Sequence, residues 1–211
     1  GNYYGAGARG INWHENQYDL VLRPGKKEWD SVEIISNKPE LQISVLVNEL
    51  KTGKKGSGDN SVIYLPQQGL IGFVRGTVPA GKDSFTVSGA MPDPAGHFMK
   101  TIEDLFSMNG IKIAGRTKTA TYIFMNKEKL KYSPNVILSI TSPSLDSINY
   151  WFLKKSVNLY GEAFIKTIAY EKAKFGATDT GIAIIKDFWS KRGIERSALN
   201  IIDGSGLSPA N

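Results

Sequence analysis

The sequence predicts an α+β fold, a sheet-rich stretch followed by a helical one. Three observations carry the prediction. Apolar residues alternate with period two through the first two thirds of the chain. Helical spacing replaces that alternation after about residue 141. Hydrophobic residues make up 41% and charged residues 22% of 211, a balance that supports a packed core rather than disorder.

Tyr18, Leu20 and Leu22 alternate up to the turn signal Pro24-Gly25, and Leu41, Ile43, Val45 and Val47 alternate in the same way. Further strands are expected at Ser61–Leu65, Phe73–Thr77, Ser84–Ser88 and Thr119–Met125, separated by turns at Gly53–Gly58, Pro79–Gly81 and Gly110. One helix interrupts the series near 92–109. Pro92-Asp93-Pro94 starts it, Phe98, Ile102, Leu105 and Phe106 recur at helical spacing, and Asn109-Gly110 closes it. The apolar run Asn135–Ile140 is strand-sized. Ser142-Pro143 then opens a helix carrying Leu145, Ile148 and Phe152. A second helix should bury Leu159, Ala163 and Ile168. A third should run from Thr180 as N-cap through Ile182, Ile185 and Trp189 to Gly193.

Composition excludes several function classes. Without cysteine there is no disulfide framework, thiolate metal site or cysteine nucleophile. No stretch has the roughly 18 apolar residues of a membrane span, so no transmembrane segment is expected. The opening residues carry neither a basic nor an apolar leader region. The net charge of +6 and pI of about 9.3 attract polyanions in general. The lysines are scattered, however, and no nucleic-acid reading motif accompanies them, so no nucleic-acid partner is expected.

Three motifs read as decoys. Gly5-Ala6-Gly7-Ala8-Arg9-Gly10 spells a dinucleotide fingerprint, but only four residues precede it and an extended segment follows, so it is a turn. Lys51-Thr52-Gly53 spells the K-T-G of penicillin-interacting serine enzymes, yet it opens Lys51–Asn60, a glycine- and lysine-rich run that reads as a loop. His14, in an expected strand, and His97, early in the helix, have no carboxylates at metal-ligand spacing. No metal and no cofactor are expected.

The constellation that carries chemistry is Ser156-Val157-Asn158, between two expected helices and upstream of Asp203-Gly204-Ser205-Gly206-Leu207-Ser208. By itself S-x-N could cap a helix junction. Its context is wider, with Tyr4–Gly7, Asn12–Asn16, Gly56–Asn60, Arg75–Pro79 and Phe98–Gly115 in order along the chain. Together these resemble the D-alanyl-D-alanine carboxypeptidase/endopeptidase family of penicillin-binding proteins, the type with domains inserted into the catalytic domain.

That resemblance implies an inserted accessory region over 1–134 and a partial transpeptidase-like catalytic domain over 135–211. It implies peptidoglycan stem peptides as substrate, β-lactams as ligands of the intact protein, and a periplasmic or otherwise extracytoplasmic location. In such enzymes an S-x-x-K serine attacks the D-Ala-D-Ala carbonyl, S-x-N relays the proton and binds the substrate peptide, and a K-T-G lysine holds the terminal carboxylate. Ser156 and Asn158 match the second motif, and Val157 is expected to point away. No serine here has a lysine three residues on, and the third motif should follow Ser208. The chain is therefore expected to be an internal fragment, inactive alone. The competing readings are a non-catalytic peptidoglycan-binding or scaffolding module and an unrelated basic binding module.

Overall fold

The structure, a computed structural model, describes residues 2–41, 45–65, 71–115, 117–131, 135–136 and 138–209. It is α+β, as the sequence predicts. Two three-stranded sheets share one core. In the first, β1 (Gln17–Arg23) is central between β2 (Glu33–Lys38) and β6 (Phe85–Ala90), all antiparallel. In the second, β5 (Ile71–Pro79) is central. It pairs in parallel with β3 (Val45–Gly53) and antiparallel with β4 (Asn60–Tyr64). Period two places Tyr18, Leu20 and Leu22 on one face, where Leu50, Ile63, Val74, Val78 and Val87 meet them. Each such side chain taken from water contributes about 1.5–3 kcal/mol.

The expected strands at residues 61–65, 73–77 and 84–88 correspond to β4, β5 and β6. Strand β2 was not foreseen, because Glu33-Ile34-Ile35-Ser36-Asn37-Lys38 does not alternate cleanly. Its register shifts between Val21 and Leu22 of β1. Of the alternating run 41–47, residues 42–44 lie outside the described residues, and β3 begins at Val45.

Lys51-Thr52-Gly53 is the end of β3 rather than a loop. It is held there by pairing with Thr77, Val78 and Pro79. The fully buried Thr52 also ties β3 of the second sheet to the loop between β1 and β2 of the first. Its Oγ1 accepts from Gly25 N at 2.8 Å, its carbonyl accepts from Trp29 N at 2.8 Å, and its own N donates to Asp30 O at 2.9 Å. The glycine-rich run that follows does turn, but only after the ladder ends.

Helix α1 (Pro94–Met108) starts where expected, with Pro94 in its first turn and Asp93 as N-cap accepting from Gly96 N at 3.1 Å. Its anticipated apolar face is only partly covered. Phe98 packs on Trp13 with ring centroids 5.0 Å apart, while Leu105 and Phe106 are exposed. Residues 119–125 form not a strand but a short helix, α2 (Ala120–Met125). β-branched and aromatic residues favour strands only when there is a sheet to pack on. Here the local signal wins: Thr119 Oγ1 accepts from Tyr122 N at 3.1 Å and Asn126 closes the helix.

The strand-sized apolar run 135–140 includes residue 137, which lies outside the described residues. Its described residues have no regular structure, and Val136, Leu138 and Ile140 are three-quarters or more exposed.

Three helices complete the chain: α3 (Leu145–Lys155), α4 (Asn158–Ala173) and α5 (Thr178–Ser190). Ser144 caps α3, accepting from Ser147 N. Phe152 of α3 meets Phe164 of α4 edge-on at 5.6 Å. The buried face of α4 is Leu159, Gly161, Ile165 and Ala169; Ala163 is half-buried and Ile168 exposed, one helical step away from the expected stripe. α5 starts two residues before Thr180, and Ile182 is its buried anchor while Trp189 stays exposed.

His97 is buried in the first turns of α1. Burial holds its imidazole below the usual 6.5; Asp93 pulls it upward, and the nearby His14 adds to the depression. The unfolded chain therefore binds this proton at higher pH than the folded one. The stability tied to the neutral ring is present above about pH 6.5 and is lost as pH falls below it. The urea midpoint should drop between about pH 7.5 and about pH 5, and His97→Gln should flatten that slope. Equal slopes for the two proteins would contradict this account.

Candidate functional site

The site is built at the junction of α3 and α4. Ser156 is the C-cap of α3 with φ 53° and ψ 48°, left-handed backbone that non-glycine residues seldom adopt. It costs about 1–2 kcal/mol relative to right-handed backbone. Val157 is extended (φ −79°, ψ 96°), and Asn158 begins α4. This tight reversal leaves the Ser156 side chain exposed, with no hydrogen bond to its hydroxyl among the described residues.

Asn158 does not cap its own helix. Its Nδ2 donates instead to Tyr4 O at 3.2 Å, joining residues 154 apart in sequence.

A pocket of about 150 Å³ lies here, walled on one side by Lys155–Leu159 and on the other by Tyr3, Tyr4, Ala6, Glu15 and Gln17. Val157, expected to point away, is half-buried and lines this pocket too. The pocket thus offers the Ser156 hydroxyl, the carboxamides of Asn158 and Gln17, two tyrosines, one ammonium from Lys155 and one carboxylate from Glu15. Neither histidine lines it. Among the described residues no group of three or more His, Asp and Glu side chains could hold a metal ion. Lys51, Thr52 and Gly53 do not line the pocket either.

The far wall was not legible as a site. Tyr3–Gly5 is a single 3-10 turn, and the glycine-rich stretch after it is irregular, as a turn should be. His14, expected in a strand, instead forms with Glu15 and Asn16 a left-handed turn with φ of 50°, 53° and 56°. The buried Asn16 pins it. Its Oδ1 accepts from Trp13 N at 2.9 Å, and its Nδ2 donates to Gly7 O at 2.9 Å and Asn12 Oδ1 at 2.7 Å. Its carbonyl accepts from Met91 N at 2.7 Å. Asparagine tolerates this backbone through local hydrogen bonds. The pair Asn12 and Asn16 was the available signal.

The sequence profile of the D-Ala-D-Ala carboxypeptidase 3 (S13) family matches residues 1–211. The chain belongs to that family. A D-alanyl-D-alanine carboxypeptidase of Actinomadura sp. (strain R39) is 28% identical over 166 residues, covering 79% of this chain and 30% of that protein. Crystal structures of penicillin-binding protein 4 from Haemophilus influenzae share the fold. The one complexed with a β-lactam has a TM-score of 0.71 at 19% identity, covering 96% of this chain and 44% of its own. Another has a TM-score of 0.70 at 18% identity, covering 100% of this chain and 49% of its own. The chain therefore spans between about a third and a half of the length of these relatives.

Asn16→Ala removes a buried carboxamide and its three hydrogen bonds, to the half-buried Trp13 and to the exposed Gly7 and Asn12. It should cost about 2–3 kcal/mol in chemical denaturation. A loss below about 0.5 kcal/mol, the range of neutral surface changes, would show that the turn holds without it.

Proposed function

We propose that this chain is part of a serine-type D-Ala-D-Ala carboxypeptidase/endopeptidase, a penicillin-binding protein that cleaves peptidoglycan stem peptides outside the cytoplasm through an acyl-enzyme. The observation that carries the reading is the S-x-N turn at a pocket in a chain whose whole length matches the family. In this reading residues 1–134 are an inserted accessory region and 135–211 part of the catalytic domain. The exposed apolar residues Val136, Leu138, Ile140, Leu145 and Leu153 support it, because apolar surface gathered in one segment marks a face that packs on something else.

The roles follow from the side chains. The attacking serine and its lysine belong to an S-x-x-K motif, which this sequence does not contain. Ser156, with an exposed hydroxyl held on rigid left-handed backbone, can accept a proton and donate one, as a relay to the departing amine requires. Asn158 gives one of its two amide N–H groups to Tyr4 O, which leaves Oδ1 to accept from the substrate's peptide N–H and the second N–H to donate. That one amide thus ties the wall to the helix and orients the peptide. The β-lactam complex of the Haemophilus relative supports the same ligand class for the full-length protein.

Two outcomes are expected. The 211-residue chain alone should take no covalent penicillin label; a mass increase matching one penicilloyl group would overturn its inactivity. In the full-length protein, Ser156→Ala should slow acylation roughly 100-fold or more, the range of a lost acid–base group, with an unchanged circular dichroism spectrum. Acylation at the original rate would remove Ser156 from the mechanism.

A further inference from the structure

The geometry points to Glu162 as a positioning residue that clamps the Asp203–Ser208 turn against the start of α4, beside Ser156 and Asn158. The inference rests on the proposed reading, in which the carboxylate-binding motif follows Ser208. Glu162 lies four residues after Asn158, one helical turn along the same side. Its Oε1 accepts from Gly204 N at 3.0 Å and from Ser205 N at 3.1 Å. Two backbone donors on one carboxylate oxygen make a charge-assisted fork, stronger and more directional than a contact between neutral groups.

The turn that Glu162 grips is itself preformed. Asp203 Oδ1 accepts from Gly206 N at 2.6 Å, and Oδ2 accepts from Ser208 N at 2.7 Å. One carboxylate therefore shapes the turn and another docks it.

Backbone contact makes the docking close. A Cβ on Gly161 would lie 2.1 Å from Gly204 O, and one on Gly204 would lie 2.2 Å from Gly161 O. Real Cβ atoms do not approach backbone this closely, so any side chain at either position would separate helix and turn. Phe152 Cε2 of α3 would lie 3.0 Å from the same added Cβ on Gly161, so a side chain there would be crowded from α3 as well as from the turn. Glycines at 161 and 204 set the spacing, and Glu162 sets the register. The chain leaving Ser208 is thereby aimed relative to the S-x-N turn rather than left free to swing.

The effect on the enzyme is geometric. Glu162 touches no reacting atom; it fixes where the carboxylate-binding strand enters. Its loss should weaken ligand capture more than the bond-making step, the reverse of what loss of Ser156 should do.

The test measures penicillin acylation of the full-length protein by stopped-flow, separating the dissociation constant of the encounter complex from the limiting acylation rate. It compares wild type, Glu162→Ala, Glu162→Gln and Gly161→Ala, with hydrogen exchange at Gly204 and Ser205 measured on the same samples. Glu162→Ala and Gly161→Ala should raise the dissociation constant about tenfold or more, with a smaller change in limiting rate, and should deprotect both amides while Ile165 and Ala169 of α4 stay protected. Glu162→Gln keeps an acceptor oxygen and should restore most of both. A variant that was merely unstable would lose labelled fraction at unchanged constants, and that result overturns the positioning role. Unchanged exchange in Glu162→Ala would overturn the clamp itself. Failure of the wild-type protein to take any penicillin would defeat the functional reading instead, while the exchange data would still decide the clamp.

Discussion

Much of this structure depends on the side chain of Asn16. A buried carboxamide binds Trp13, Gly7 and Asn12 at once, while the same residue's carbonyl holds Met91 at the end of β6. Three successive residues are thereby kept in left-handed backbone, which would be unfavourable without such local bonds. The segment 2–16 has no ladder of its own. It lies as a strap over the edges of both sheets, and Asn2 adds a bridge to Gly89 and side-chain bonds to Ser61 and Ile63. The strap forms one wall of the pocket, so the placement of Tyr4 opposite Asn158 is inherited from a buried amide at Asn16.

The two halves of the molecule use different means to the same end. In the sheet half, apolar alternation supplies a continuous core, and Thr52 adds a polar link from β3 to the loop between β1 and β2 that a purely apolar residue could not make. In the helical half the burial is thinner. Leu159, Ile165, Ala169 and Ile182 are its buried apolar residues, while many large side chains stay exposed. Polar clamps and glycine contacts therefore carry more of the organisation there: Glu162 on the Gly204 turn, and Gly181 of α5 against Ile165 of α4.

Sequence reading recovered what periodicity encodes. Strands β1, β4, β5 and β6 and helices α1, α3, α4 and α5 were legible because an alternating or helical stripe repeats long enough to register. It failed where a few residues decide. Residues 119–125 have strand composition but become a helix because Thr119 caps it. Lys51–Gly53 looks like a loop but stays in the ladder because Thr52 is bonded there to the loop between β1 and β2. His14 was expected in a strand because nothing periodic announces a left-handed turn. Of the site, the S-x-N turn was readable as a short local motif. Its opposing wall was not, because Tyr3, Tyr4, Glu15 and Gln17 are placed by bonds that no short motif announces: Asn2 to Ser61 and Ile63, Asn16 to its own turn and Met91, and Gln17 to Ala90 in the β1–β6 ladder.

The link between Tyr4 and Asn158 has a kinetic consequence. It joins positions 154 residues apart, and closing so long a loop carries an entropic cost that local helices and hairpins do not meet. Chains held by contacts of long separation fold more slowly than chains held by local ones. The cavity's two walls come from the two ends of that loop, residues 3–17 and 155–159, so the cavity exists only when both ends are docked. Occupancy of this pocket by a small molecule would then report on the docking of both ends at once, and a lesion that undocks either end could silence it without touching a single lining residue.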